Sequence, residues 1–253
     1  MQLQNQYYYF KSAISEEICQ KIIETGDAKI AAEAAKGYNV TGNTNGDAQR
    51  DARPNAAPQG DFTKEQLKEQ GIVVADTYVR DSQVTWFNDT WIYDLVTPFV
   101  AEANWKAGWN FQLDYAESFQ FTTYEPGGFY SWHKDGGSDH LATYKRYIYG
   151  VTPVPLKSDG RLPERHVTDP NMVGKVRKIS VTINLSPKDS YEGGNLKFDF
   201  GPHTDGNRYH EVSEARDQGS IVVFPSFIDH TVTPITKGKR YSLVLWNLGD
   251  PFK

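Results

Sequence analysis

The chain has a single cysteine, Cys19, among 253 residues. No internal disulfide can form, and a cysteine-based zinc or iron–sulfur centre is excluded, because each needs several thiolates. Long apolar runs are also missing, since none approaches the roughly 18–20 residues that a membrane-spanning helix needs. The opening stretch MQLQNQYYYFKSAIS has neither the basic start nor the apolar core of a secretory signal. A cytoplasmic location without a membrane partner is therefore the expectation. Basic residues are in the minority, 27 Lys and Arg against 32 Asp and Glu. That balance leaves no broad positive footprint for nucleic acid.

What is present leans toward β structure: aromatics make up 13% of the chain, and Gly and Pro recur between short apolar stretches. A single domain over 1–253 is expected, with helical support and a mobile loop in 1–110 and a β core in 111–253. Ser15 can cap a helix over 16–35, whose apolar stripe would be Ile18, Ile22, Ile23, Ala28, Ile30, Ala31 and Ala34. A second helix is expected from Trp91 to Ala107, with Ile92, Leu95, Phe99 and Val100 inward. Residues 38–61, rich in Asn, Gly, Asp, Ala and Pro, read as the loop. Beyond 110, FQLDYAESFQFTTYEPGG reads as one or two strands ending in a turn at Glu125–Gly128, and FYSWHKD as the next strand. ISVTINLS (179–186), GGNLKFDF (193–200), GSIVVFPS (219–226) and RYSLVLWNL (240–248) complete a sandwich or barrel pattern. Residues 136–177 interrupt it as an insertion or lid.

The chemistry concentrates around His133 and Asp135. Two residues apart on a strand, their side chains share one face, about 7 Å apart along the chain. An H-x-D pair alone is weak. His203 and Asp205 form another, but GPHTDGNR reads as a solvated turn with no strand to hold the pair. His140 and His166 fall in the polar insertion and read as solvated too. A third donor, His230, follows GSIVVFPSFID at the exit of a buried strand. Two histidines and a carboxylate on one side of an octahedral iron leave three positions for a bidentate cosubstrate and O2. Ten residues beyond His230 is Arg240. Pro234 and Lys237–Gly238 suggest a hairpin that returns this guanidinium to the cleft, where it can fork onto a carboxylate.

Three motifs in order resemble the iron- and 2-oxoglutarate-dependent oxygenases of the prolyl 4-hydroxylase type. They are Y-x-P-G-G-x-Y-x-x-H-x-D at 124–135, L-S-P-x-D-x-x-E-G-G-x-L at 185–196 and H-x-V-x-P-(x)5-R-Y-S-L-V at 230–244. RDSQVTWF (80–87) is similar to the same group, and together the motifs cover about half the chain. The resemblance implies a mainly β fold with flanking helices, a double-stranded β-helix or jelly roll. It implies Fe(II) on His133, Asp135 and His230, the distal carboxylate of 2-oxoglutarate on Arg240, and a contact from Tyr124 to the cosubstrate. Ascorbate stands as a further cofactor to test. Where some relatives carry a cosubstrate-binding tyrosine in the 179–186 strand, this chain has Thr182, Ile183 and Asn184. Gly193 and Gly194 read as a turn or bulge. By alternation from His133, Trp132 and Tyr130 face away and Ser131 shares the metal face. Trp246, six from Arg240, shares its face and could wall the cleft. The implied activity is hydroxylation of a C–H bond, foremost in a prolyl residue of a protein or peptide, with release of succinate and CO2. The alternatives are another residue or a small metabolite, a non-catalytic jelly-roll binding protein, and a zinc hydrolase. The last would need a general base beside a metal-bound water, and no candidate glutamate for that role is evident near the motif.

Overall fold

The computed structural model describes residues 3–42, 44–45, 78–135, 171–201 and 208–252. Most of the expected loop at 38–61 and insertion at 136–177 lies outside these residues, as do His140, His166 and the His203–Asp205 pair. Helix α1 (Glu16–Ala35) begins where Ser15 accepts a hydrogen bond from the Ile18 N–H at 3.3 Å, satisfying one of the free donors at a helix start. Its buried residues are Cys19, Ile22, Ile23, Gly26 and Ile30. Ala28, Ala31 and Ala34, placed in the stripe by sequence, are exposed. Gly26 takes their place because a Cβ there would lie 2.4 Å from the Phe121 ring. Gly26→Ala should therefore destabilise by about 1–3 kcal/mol through overpacking, against the roughly 1 kcal/mol that alanine normally adds to a helix. A fall in the urea midpoint at constant slope checks this. Helix α2 (Thr90–Lys106) buries Ile92, Val96, Val100 and Ala103, while Leu95 and Phe99 are only partly covered.

The strands, in chain order, are β1 (Tyr8–Phe10), β2 (Thr44–Asn45), β3 (Tyr78–Asp81), β4 (Gln83–Phe87), β5 (Tyr115–Ala116), β6 (Phe119–Tyr124) and β7 (Phe129–His133). There follow β8 (Val176–Asn184), β9 (Tyr191–Gly193), β10 (Leu196–Asp199), β11 (Tyr209–Glu211), β12 (Ile221–Pro225), β13 (Asp229–Val232), β14 (Ile235–Gly238) and β15 (Arg240–Gly249). One antiparallel sheet runs β1-β12-β8-β15-β6-β4 with β5 beside β15, and a second runs β11-β10-β13-β7-β3-β2. This is the expected jelly roll with helices on one face. Two expectations change. Thr44–Asn45, inside the expected loop, pairs with β3. Residues 234–240 form no hairpin with the return strand: β14 pairs with β9, whereas β15 pairs with β6 and β8.

Period-2 alternation divides the first sheet. Ile179, Ile183, Leu243, Leu245, Phe119 and Phe121 pack with the helices. From the same strands, Thr182, Ser242, Val244, Gln120 and Tyr124 face a cavity of about 450 Å³ between the sheets. Phe198 and Phe224 close one side of the intersheet space, their ring centroids 4.9 Å apart. No helix among the described residues is long and apolar enough to cross a membrane.

Candidate metal and cosubstrate site

His133, Asp135 and His230 offer donor atoms within 4.8 Å of one another. Asp135 Oδ1 is 3.6 Å from His133 Nε2, and Oδ2 is 3.7 Å from His230 Nε2. The route to this geometry differs from the one the sequence suggested. His230 sits within its own strand, β13, directly opposite His133 on β7. Strand β7 ends at His133, and Asp135 lies in the turn beyond it, held by its N–H donating to the Ser226 carbonyl at 3.1 Å. Simple same-face alternation therefore does not place the carboxylate. The two histidines carry matching hydrogen bonds. His133 Nδ1 donates to the Ser131 carbonyl at 2.7 Å, and His230 Nδ1 donates to the Ile228 carbonyl at 3.0 Å. Each bond fixes the ring orientation and turns Nε2 toward Asp135.

The electrostatics follow. Burial, then His133 beside it, pushes His230 down to about 4, so its ring is neutral near pH 7. Burial by itself would raise Asp135, but His230 and His133 hold its carboxyl well below the usual carboxylate range. A buried carboxylate and two imidazole Nε2 atoms thus converge on one point. A divalent metal displaces protons from its ligands, and a donor set of two imidazoles and one carboxylate suits Fe(II).

Arg240, the first residue of β15, lines the same cavity and is 3% exposed. No carboxylate pairs with it among the described residues, and its Nε has no hydrogen-bond partner. Its guanidinium stands 5.7 Å from the ring of Tyr124, its cross-strand partner. Thr182 and Ser242 place short hydroxyls on the same cavity wall. Asn184, at the neighbouring cosubstrate position, is engaged elsewhere, its Nδ2 donating to the Ser186 and Arg216 carbonyls. A permanent positive charge buried without a counterion is costly, and a carboxylate ligand entering the cavity would neutralise it.

Other groups at the cavity escaped the sequence reading. Tyr130 stacks on His133 with ring centroids 3.4 Å apart and lines the cavity, although alternation had turned it away. Three steps along β7, from Tyr130 to His133, pair with two along β13, from Val232 to His230. The extra residue is a bulge, which reverses the face of every side chain beyond it. Burial raises the Tyr130 phenol to about 12, so it remains a donor. Arg80 is a second buried guanidinium on the cavity wall. Its Nη2 donates to Gln120 Oε1 at 2.8 Å and Thr122 Oγ1 at 3.1 Å, and its charge lies 4.9 Å from the Tyr130 ring. RDSQVTWF held the signal, an arginine opening a β-forming run. Trp246 lines the cavity as its spacing from Arg240 suggested. The Arg177 guanidinium lies 3.9 Å from its ring and forks onto Glu117 at 2.5 and 2.6 Å. Trp132 lies against Tyr209 instead, centroids 5.2 Å apart. His210 pairs with the Tyr7 hydroxyl at 2.9 Å, outside the triad.

Curated relatives include a PKHD-type hydroxylase of Alteromonas mediterranea, 38% identical over 68 residues, 27% of either chain. Another, from Hyphomonas neptunium, is 36% identical over 111 residues, 42% of this chain and 46% of its own. The matched segments thus span less than half the length of these relatives. Among solved structures, a viral collagen prolyl hydroxylase from Paramecium bursaria Chlorella virus-1 has a TM-score of 0.52 and 13% identity, covering 97% of both chains. A Trichoplax adhaerens prolyl hydroxylase, solved with a hypoxia inducible factor peptide fragment, also scores 0.52 at 13% identity, covering 96% of this chain and 83% of its own. These two likenesses establish the shared fold. Residues 119–247, from β6 through the three donors and Arg240, match the family described as the 2OG-Fe(II) oxygenase superfamily. That is just over half the chain, which therefore belongs to this superfamily, whose metal and cosubstrate are Fe(II) and 2-oxoglutarate.

Proposed function

We propose that the protein is an Fe(II)- and 2-oxoglutarate-dependent dioxygenase that hydroxylates a prolyl residue of a protein or peptide, releasing succinate and CO2. The observation that carries the reaction class is one cavity lined by both the His133–Asp135–His230 cluster and the unpaired Arg240 guanidinium. His133, Asp135 and His230 would hold Fe(II), and Arg240 would take the distal carboxylate of 2-oxoglutarate, with the Tyr124 hydroxyl as a further donor. Bound Fe(II) supplies dioxygen activation coupled to oxidation of the cosubstrate. The chain's own residues bind, orient and exclude water. Tyr130 and Trp246 present aromatic surface, Val232 and Val244 aliphatic surface, and the protonated Tyr130 hydroxyl can donate to a substrate carbonyl.

The wall supports an uncharged target ring. Asp135 is the only carboxylate among the described residues that line the cavity, so a lysyl ammonium would find no free partner. The two fold neighbours, both named prolyl hydroxylases, point the same way. The test is anaerobic reconstitution with Fe(II) and 2-oxoglutarate, then O2, with succinate and product mass followed over proline- and lysine-containing peptides. One added oxygen on proline supports the reading, and turnover confined to lysine overturns it.

One observation favours a small carboxylate-bearing substrate instead: Arg80 brings a second positive charge to the wall, with no carboxylate partner among the described residues. Free amino acids therefore belong in the same assay. In either case Arg80→Ala should raise the substrate KM by roughly 10- to 100-fold, the 1.5–3 kcal/mol of a hydrogen bond to a charged group. Binding of 2-oxoglutarate should be unchanged, and an equal loss there would reassign Arg80 to the cosubstrate.

A further inference from the structure

We infer that Gly194 is a positioning residue for Arg240, setting from behind the cavity how well that guanidinium meets the distal carboxylate of 2-oxoglutarate; the inference rests on the role proposed for Arg240. Gly193 and Gly194 turn the chain between β9 and β10, both in the left-handed region at φ +73° and +65°. Their surroundings differ. A Cβ on Gly193 would lie 2.1 Å from the Pro234 carbonyl oxygen, a backbone atom, so its requirement is local folding. A Cβ on Gly194 would first meet side chains, namely Ile235 Cδ1 at 2.4 Å, Arg240 Cδ at 2.9 Å and Tyr191 Cε2 at 3.3 Å. The absent side chain leaves the space through which the stem of Arg240 runs. Gly194 is not on the wall of the metal cavity. It lines a second cavity, of about 280 Å³, that Arg240 also borders.

The turn cannot readily retreat. Gly194 N–H donates to the Pro234 carbonyl at 3.1 Å, and Asn195 N–H to Thr233 Oγ1 at 2.8 Å. Arg216 Nη1 donates to the Gly193 carbonyl at 2.7 Å and Asn195 Oδ1 at 3.1 Å, and Nη2 donates to the Tyr191 carbonyl. A methyl group at 194 must therefore push on Arg240 and Ile235. Among the described residues the Nε of Arg240 has no hydrogen-bond partner to resist displacement. Bidentate recognition of a carboxylate depends on the placement of the whole fork, and a shift on the order of 1 Å is costly.

Calorimetric titration of 2-oxoglutarate into the Mn(II)-loaded protein reads this without turnover. Gly194→Ala should weaken binding about 10- to 100-fold, with Mn(II) affinity within about twofold of the parent. In kinetics KM for 2-oxoglutarate should rise while kcat holds, whereas a general structural defect would lower metal affinity and kcat together. Adding Ile235→Val removes the nearest clashing atom and should restore part of the loss. In an Arg240→Ala background, Gly194→Ala should add nothing, because both act through one guanidinium. Unchanged binding in Gly194→Ala, or an equal further loss in the Arg240→Ala background, overturns the inference. If Arg240→Ala alone leaves binding unchanged, the assigned role of Arg240 falls and the inference with it. Should Gly194→Ala not fold, Gly194→Ala/Ile235→Val is compared with Ile235→Val, where weaker 2-oxoglutarate binding supports the inference and equal binding overturns it.

Discussion

His133→Ala, Asp135→Ala and His230→Ala should each lower succinate formation by more than about a hundredfold, since the loss of outer hydrogen-bond partners of metal ligands already costs roughly 10–100-fold. The stronger test is thermal. Adding Fe(II) anaerobically, or Mn(II), at a hundred times its dissociation constant should stabilise the parent by about 2.7 kcal/mol, a rise of roughly 5–10 °C for a chain of this size. None of the three variants should show that rise. The metal-free proteins carry a second signature. Asp135 lies 3.6 Å from His133 Nε2 and 3.7 Å from His230 Nε2, and the two histidines hold its carboxyl well below the usual carboxylate range. Asp135→Asn keeps the side chain's size but removes a charge that the two histidines favour, so metal-free Asp135→Asn should melt lower than the metal-free parent at neutral pH. An unchanged melting temperature would mean that the histidines do not favour the Asp135 carboxylate in the metal-free protein.

How far the sequence reaches can be seen at particular residues. Helix α1 was legible because its signal is local, a Ser15 cap and the isoleucines Ile18, Ile22, Ile23 and Ile30 on one face. Its exposed alanines were not, because alanine suits either face, and Gly26 acquires its role only from Phe121, 95 residues away. The three donors were legible by residue type and order, and Arg240 by its distance from His230. The reasons given for their convergence were only partly right. Asp135 lies beyond the strand, and His230 is carried by β13, whose partner β7 is about 100 residues distant in sequence. Tyr130 was misplaced because a bulge is a property of two strands in register, and neither strand records it alone. Arg80 went unassigned because a single arginine on a strand is ordinarily solvated. Only the pairing of β3 with β7 brings it over Tyr130 and onto the cavity wall.

Arg240→Ala is expected to weaken 2-oxoglutarate binding by roughly 30- to 5000-fold, corresponding to the 2–5 kcal/mol lost when one partner of a buried charge pair is truncated. Metal affinity should be nearly unchanged, because Arg240 donates to none of the three ligands. Arg240→Lys keeps the charge and loses the two-pronged fork, so its affinity should fall between the two. Stability should move the other way. In the free protein Arg240 is 3% exposed, no carboxylate pairs with it among the described residues, and its Nε has no partner. Burying that charge costs stability, and an apolar side chain of similar length does not incur the cost. Arg240→Met should therefore raise the melting temperature of the ligand-free protein, within the roughly 1–4 kcal/mol found when buried charged groups give way to packed apolar ones. Saturating 2-oxoglutarate should reverse the order, stabilising the parent and leaving Arg240→Met nearly unmoved. A variant that binds poorly and also melts lower without ligand would show that Arg240 supports the fold, and the cosubstrate carboxylate would have to be sought at another cation, of which Arg80 is the first candidate.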